Sequence, residues 1–255
     1  MRVALVGSDL HEVEGLLDRF KLERVRSDPD VVIANGGDGS VLGAEREYPR
    51  VPKLGLRNSR TCKKCPDHEN EVVLGKLAAG KLVETRIIKL EADYAGQTLL
   101  AINDIILHNE MITSSVRYRV DINGRNHSGV IIGDGLVVAT PFGSSAYYRS
   151  ITHSIFQVGI GLAFNNSTEQ VDHLVLQEDC AIDITILRGP ALVAADNDPN
   201  WFEAGDGQTF SVRKAEEPAH ILGIDTLRCP LCERYPDIRR PDYLDRRISP
   251  SSSRP

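Results

Sequence analysis

The sequence predicts an α/β N-terminal domain with a Rossmann-like parallel sheet, followed by a β-rich C-terminal domain. Three observations carry this. Over residues 1–85, short apolar runs alternate with helix-period segments, the pattern of parallel strands joined by crossovers. From residue 86 onward the texture changes to successive strand-like segments broken by hairpin turns. The chain has 255 residues, 41% hydrophobic and 26% charged, enough for one large or two modest globular domains with their own cores.

In chain order, "RVALVG" (residues 2–7) is a short apolar strand that stops at Gly7. "HEVEGLLDRF" follows with Val13, Leu16, Leu17 and Phe20 at helical spacing. "DVVIANGGDG" is the next strand and its loop, "SVLGAERE" opens a helix, and "VPKLGL" is a third strand. In the second half, "TRIIKLEADYAGQTLLAINDIILHNE" places two long apolar segments around Ala95-Gly96-Gln97, a hairpin signal. "VRYRVDINGRNHSGVII" alternates apolar and polar residues and turns at Asn123-Gly124, a strong hairpin dipeptide. "DHLVLQEDCAIDITILRGPALVAAD" continues in strands, and "AHILGID" is the last apolar run. Residues 86–214 therefore read as the β-rich domain. Residues 236–255, rich in Arg, Pro and Ser, are expected to be a disordered tail.

Composition excludes several classes of function. A net charge of −6 offers no general attraction to nucleic acid or to an anionic membrane. No apolar run approaches the length of a membrane span, and "MRVALVGSDL" lacks the layout of a signal peptide. A cytoplasmic enzyme is the expectation.

The stretch "VVIANGGDGSVLG" (residues 31–43) points to the chemistry. Glycines between a buried strand and a helix let backbone approach an anion, and free N–H groups at the helix start point at it. Gly36, Gly37 and Gly39 supply such a phosphate loop. Asp38 would repel a phosphate unless it holds a bridging metal or takes a proton from an attacking hydroxyl. On this segment alone a plain turn, with Asp38 as helix N-cap, remains open. No Gly-Lys-Ser/Thr follows, so this is not a Walker loop.

Two further segments favour a ligand. In "AINDIILHNE", Asn103 and Asp104 sit within an apolar run, so at least one should point inward and need a partner. A bulge or strand end is the alternative. In "GDGLVVATPFGSSAYYRS", Asp134 precedes a strand, Pro141 and Gly143 bracket a sharp loop, and Tyr147 can lie against a base.

These three segments, in this order, resemble the NAD kinase family, with its GGDGT/S loop, Asn-Glu or Asn-Asp pair, and D-G-x-x-x-x-T-P-x-G-S-T-A-Y segment. The similarity runs over about residues 1–224, as in a divergent member. It implies transfer of a phosphoryl group from ATP or polyphosphate, with Mg²⁺, to the 2′-hydroxyl of the adenosine ribose of NAD, making NADP. By resemblance, Asp38 is the base or metal-linked residue, and Gly36, Gly37 and Gly39 cradle the donor phosphates. Asn103 and Asp104 meet the adenosine and its ribose hydroxyls, and Asp134 lies toward the nicotinamide. Ser145, Ala146 and Tyr147 shape the adenine pocket. The resemblance also implies an α/β domain and a β-rich domain, a chain end (residues 215–235) that returns to the first, and a homodimer or homotetramer. Asp196, at the end of "ALVAAD", stands where the family has an Asp-Gly turn, but Asn197 follows it. A GGDG-type lipid or sugar kinase, or a nucleotide-binding sensor without turnover, is the alternative.

Three features depart from the family pattern. "GLRNSRTCKKC" keeps Gly55 and Asn58 but lacks the second glycine of a G-x-N-x-G turn. Phe142 replaces a small polar residue, narrowing the pocket or stacking on a base. "YRSITHSIFQVGIGLAF" replaces an Ala-Gly-Gly-Pro run.

The five cysteines include two C-x-x-C pairs, Cys62/Cys65 and Cys229/Cys232. In a reducing compartment this spacing suggests metal before disulfide, and four thiolates complete a tetrahedral structural Zn²⁺ site. A redox pair and four free thiols are the other readings. Cys180 reads as core, and His68, close after Cys65, as a surface-loop residue, with a metal ligand as the alternative.

Overall fold

The computed structural model describes residues 1–57, 68–169, 171 and 173–227. The described residues divide into two units, one of residues 1–85 together with residues 220–227, the other of residues 86–219.

The first unit begins with β1 (Arg2–Gly7), α1 (His11–Leu17), β2 (Glu23–Arg24), β3 (Val31–Gly36), α2 (Asp38–Glu47), β4 (Lys53–Arg57), α3 (Asn70–Ala78) and β5 (Glu84–Ile87). Every residue of β3 is buried, as expected of a parallel strand covered on both faces. Helix α1 buries Val13 and Leu17, two of the apolar positions its spacing singles out. These join Val3, Ile33, Leu54, Leu74 and Leu77 in one core.

A charged pair is buried in this unit. Lys53 of β4 is fully buried and donates to Glu45 of α2, itself almost fully buried. Removing one member takes a buried partner from the other charge, which typically costs about 3–5 kcal/mol, whereas replacing both with apolar groups costs little. Glu45→Ala is therefore expected to lower stability by about 3 kcal/mol or more, and Glu45→Leu combined with Lys53→Met by far less, in urea titrations. Equal losses would show that packing, not charge, is what matters there.

The second unit runs β6 (Leu90–Tyr94), β7 (Gln97–Ala101), β8 (Asp104–Asn109), β9 (Val116–Ile122), β10 (Arg125–Gly133), β11 (Gly135–Ala139), α4 (Tyr147–Thr152), β12 (Ile160–Asn165), β13 (Leu174–Leu176), β14 (Ile182–Arg188), β15 (Ala191–Ala195), β16 (Trp201–Ala204) and β17 (Thr209–Lys214). Two six-stranded sheets result, β10-β9-β14-β17-β6-β7 and β13-β12-β11-β8-β15-β16. Inward residues of both, among them Tyr118, Ile184, Phe210, Leu107, Leu136 and Leu162, share one core that includes Cys180. The two expected hairpins form. Ala95-Gly96 and Asn123-Gly124 each take positive φ at both positions, as a type I′ turn requires. Helix α4 covers the outer face of the second sheet, where Tyr148 packs on Val137, Ala139 and Ala163.

After β17 the chain forms β18 (Ala219–Leu222), which completes the first unit's sheet in the order β2-β1-β3-β4-β18-β5. It lies parallel to β4, with Ile221 opposite Lys53 and Leu222 opposite Leu54. A 3-10 turn (Ile224–Thr226) then docks on β4: Thr226 Oγ1 donates to the Gly55 carbonyl at 3.1 Å, and Arg57 donates to the Leu227 carbonyl.

Candidate functional site

The glycine loop lies between a buried strand and a helix, as expected, and the plain-turn alternative does not hold for Asp38. Helix α2 starts at Asp38, and its N-cap is Gly37, with no side-chain cap bond. Asp38 is therefore not the N-cap. It is the first helical residue, where a carboxylate suits the positive end of the helix dipole, and it is exposed. The three glycines differ in role. Gly36 is buried at φ +141°, and a Cβ there would lie 2.4 Å from Ser40 Oγ. Its missing side chain makes room for Ser40, so it shapes the loop from below. Gly37 is half-buried and Gly39 exposed. Beneath the loop, Asn35 is fully buried and its Nδ2 donates to the Ser8 and Asp9 carbonyls at 2.8 and 3.2 Å, tying the ends of β1 and β3 together.

In the second unit, Asn103 and Asp104 do not lie inside a strand. Asp104 opens β8, and Ile102-Asn103 is a bend between β7 and β8, so the strand-end alternative is the one realised. Both residues are nonetheless buried, at 8% and 4% exposure. Asp196 holds the bend. Its Oδ2 accepts from Ile102 N at 2.8 Å, and its Oδ1 from Asn103 N at 2.8 Å and Asp104 N at 3.0 Å. Three consecutive amides converging on one carboxylate form an anion nest filled by the protein itself.

The TPFG turn locks onto the same bend. Thr140 N donates to the Asn103 carbonyl at 2.9 Å, Thr140 Oγ1 donates to the Ile102 carbonyl, and Gly143 N donates back to Thr140 Oγ1 at 3.0 Å. A Cβ on Gly143 would sit 2.1 Å from the Asn103 carbonyl oxygen, so only glycine permits this approach. Ser144 is buried and spends its hydroxyl on the Pro141 and Phe156 carbonyls. Ser145 and Ala146 are exposed and, with Arg149, Ser150 and His153, line an open depression of about 420 Å³.

Tyr147 connects the rest. Its hydroxyl oxygen accepts from Asn165 Nδ2 at 3.1 Å. Burial, then the charges of Asp134 and Asp104, push its pKa up, which keeps the phenol protonated. Asp134 Oδ2 accepts from Asn166 Nδ2 at 2.8 Å. The second unit thus gathers Asn103, Asp104, Asp134 and Tyr147 into one polar region beside Ser145 and Ala146.

Burial raises the Asp104 carboxyl from its usual range to about 7, with the Asp196 carboxylate adding to the rise. The folded pKa exceeds the unfolded value of about 4, so between these limits only the native state keeps the proton. Stability contributed by this proton is full below pH 4 and is lost as pH rises toward 7. Asp104→Asn is expected to remove that slope: its melting temperature should gain on the wild type between pH 4 and 7 and hold level above. A pH-independent difference would contradict the raised pKa.

Comparisons with known proteins find NAD kinases. No family model matches the chain. The NAD kinase of Gemmatimonas aurantiaca is 30% identical over 220 residues, which is 79% of this chain and 75% of that protein. That of Nitrosomonas europaea is 26% identical over 214 residues, 79% and 72% of the two chains. The chain belongs to the NAD kinase family. Its fold is that of NAD kinases. The structure of an Archaeoglobus fulgidus NAD kinase in complex with ATP matches at TM-score 0.75 and 21% identity, over 91% of this chain and 97% of that one. A yeast NADH kinase complexed with NADH matches at TM-score 0.72 and 17% identity, over 91% and 87%.

Against the family pattern, Phe142 is 5% exposed, buried rather than open to stack on a base. His68, expected on a surface loop, is 3% exposed. Cys62, Cys65, Cys229, Cys232 and Asn58 lie outside the described residues, and among the described residues no group of three or more His, Cys, Asp or Glu is placed to hold a metal. Asn165 and Asn166 carried no signal in the sequence, because an Asn-Asn after an apolar strand reads as an ordinary turn. Asp196 did carry one, as an acid ending an apolar strand. No helix among the described residues is long and apolar enough to cross a membrane.

Proposed function

We infer that the protein phosphorylates the 2′-hydroxyl of the adenosine ribose of NAD, using ATP, to make NADP. The match to curated NAD kinases over about three-quarters of their length carries this reading. In it, the backbone N–H groups at Gly37 and Gly39 face the donor phosphates at the start of α2. Asp38 accepts the proton of the ribose hydroxyl as its oxygen bonds the γ-phosphorus and the bond from that phosphorus to the ADP leaving group breaks. Asn103 and Asp104 orient the ribose and adenine. The Asp104 carboxyl, with a pKa of about 7, can donate as well as accept a hydrogen bond at neutral pH.

Mg²⁺ fits this donor set. The loop offers one exposed carboxylate, Asp38, rather than a cage, and Mg²⁺ is commonly held by one or two carboxylates together with substrate phosphates. When bound it neutralises phosphate oxygens. Most of the rate then comes from alignment of the ribose hydroxyl with the phosphorus.

The reading extends to polyphosphate as a second donor, to a homodimer or homotetramer, and to a structural Zn²⁺ on Cys62, Cys65, Cys229 and Cys232. The zinc reading is supported by spacing and by tethering. Cys62 follows Arg57 by five residues and Cys229 follows Leu227 by two, and Arg57 donates to the Leu227 carbonyl. Purified protein should carry one zinc per chain by elemental analysis, and its absence would remove that reading. The function itself is tested by supplying NAD, ATP and Mg²⁺ and detecting NADP enzymatically, with polyphosphate and no-donor arms. No NADP from protein that binds NAD would replace the enzyme with a sensor; no binding would mean another acceptor.

A further inference from the structure

The two asparagines at the end of β12, Asn165 as its last residue and Asn166 just after it, are the least expected part of the site. Asn165 is half-buried and Asn166 exposed, and they donate to different targets, one to the Tyr147 hydroxyl oxygen and the other to Asp134 Oδ2. Their backbone is fixed as well. Asp134 N donates to the Asn165 carbonyl at 3.0 Å, Asn165 lies opposite Gly135, and Asn166 adopts φ +47°. That backbone conformation turns the Asn166 side chain away from the strand's alternation, so adjacent amides can serve adjacent targets.

The chemical consequence follows from donor and acceptor counting. The Tyr147 oxygen already accepts from Asn165, so its own proton is free to be donated elsewhere. Asp134 spends Oδ2 on Asn166 and keeps Oδ1 as an acceptor. Together they present one donor and one acceptor, both half-buried. We propose that Asn165 and Asn166 are positioning residues that fix this donor–acceptor pair, so that Tyr147 and Asp134 read an NH₂ group beside an sp² acceptor.

Two parts of NAD carry that edge: the carboxamide of its nicotinamide and the N6/N1 edge of its adenine. The proposal therefore rests on NAD being the acceptor substrate. It makes the asparagines determinants of specificity. An analogue that replaces the NH₂ by an oxygen would set an acceptor against Asp134 and leave a polar group unpaired, which is where hydrogen-bonded sites discriminate most sharply.

The test compares NAD with nicotinic acid adenine dinucleotide, which alters the carboxamide, and with nicotinamide hypoxanthine dinucleotide, which alters the adenine. kcat/KM is measured for each in the wild type, Asn166→Gly and Asn165→Ala. Glycine keeps the left-handed backbone while removing the amide. The ratio of kcat/KM values within one variant does not depend on how much of the protein is folded. The wild-type preference for NAD over one of the analogues is expected to shrink about tenfold in both variants, as the loss of one orienting hydrogen bond implies. The shrinkage should appear mainly in KM, and the analogue concerned identifies which edge is read. Preference unchanged against both analogues, with NAD still phosphorylated, would overturn the proposal. Absence of NAD phosphorylation in the wild type would instead remove the functional reading beneath it.

Discussion

Asp38→Asn is expected to lower kcat for NAD phosphorylation by about a hundred- to ten-thousand-fold while leaving the protein folded, because general-base contributions are typically of this size. The side chain is exposed at the first position of α2 and makes no cap bond. Losing its charge removes only its interaction with the helix dipole, worth about 0.3–1 kcal/mol. Asparagine keeps the size and the hydrogen-bonding shape and loses the ability to take a proton. Single-turnover rates and thermal melting on the same preparation separate the two effects. A rate within threefold of the wild type would remove Asp38 from the chemistry, and a collapse in melting temperature would give it a structural role instead.

Asp196→Ala is expected to do the reverse: unfold the bend first, and lose activity with it. One carboxylate serves the amides of Ile102, Asn103 and Asp104. Leaving buried donors unpaired costs about 1–3 kcal/mol each, so a loss of about 3 kcal/mol or more is the expectation. Alanine also tolerates the φ of +50° at this position poorly. Asp196→Asn keeps one acceptor oxygen and the left-handed backbone, so it should be milder in stability. It also removes the charge that helps to raise the Asp104 pKa, moving that titration downward. Denaturant midpoints and a pH–rate profile read the two parts. If Asp196→Ala is as stable as the wild type, the bend is held by the Thr140 and Gly143 contacts alone.

Much of the fold was legible because it depends on short-range pattern. The apolar run 31–36 became a fully buried strand, and both hairpin segments became turns, Asn123-Gly124 with the φ values its chemistry favours and Ala95 at a positive φ that alanine adopts less readily. The strands β16 and β17 were missed, although Gly205-Asp206-Gly207 between them is a turn signal. β16 has only four residues, and its outward-facing Trp201 hides the alternation. At the site, residue types were readable and their partners were not. That Asn103 and Asp104 are buried follows from their apolar neighbours. That a carboxylate 92 positions beyond Asp104 holds them does not, since it depends on how β15 registers against β8. The loop glycines misled in another way: Gly36 serves the packing of Ser40, a distinction that only φ and neighbouring atoms reveal.

The late return of β18 to the first sheet has a bearing on biosynthesis. This strand sits between β4 and β5, yet it emerges from the ribosome only after more than 130 intervening residues have been made. Until residues 219–222 arrive, β4 presents an unpaired edge, the kind of surface that recruits strands from other chains. The intervening unit contains its own complete sheets and can condense first, as domains often do during translation. The first part of the chain to be made is then the last to finish. Its exposed edge during that interval is where a chaperone would be of most use, and where premature termination would turn a nascent enzyme into an aggregate.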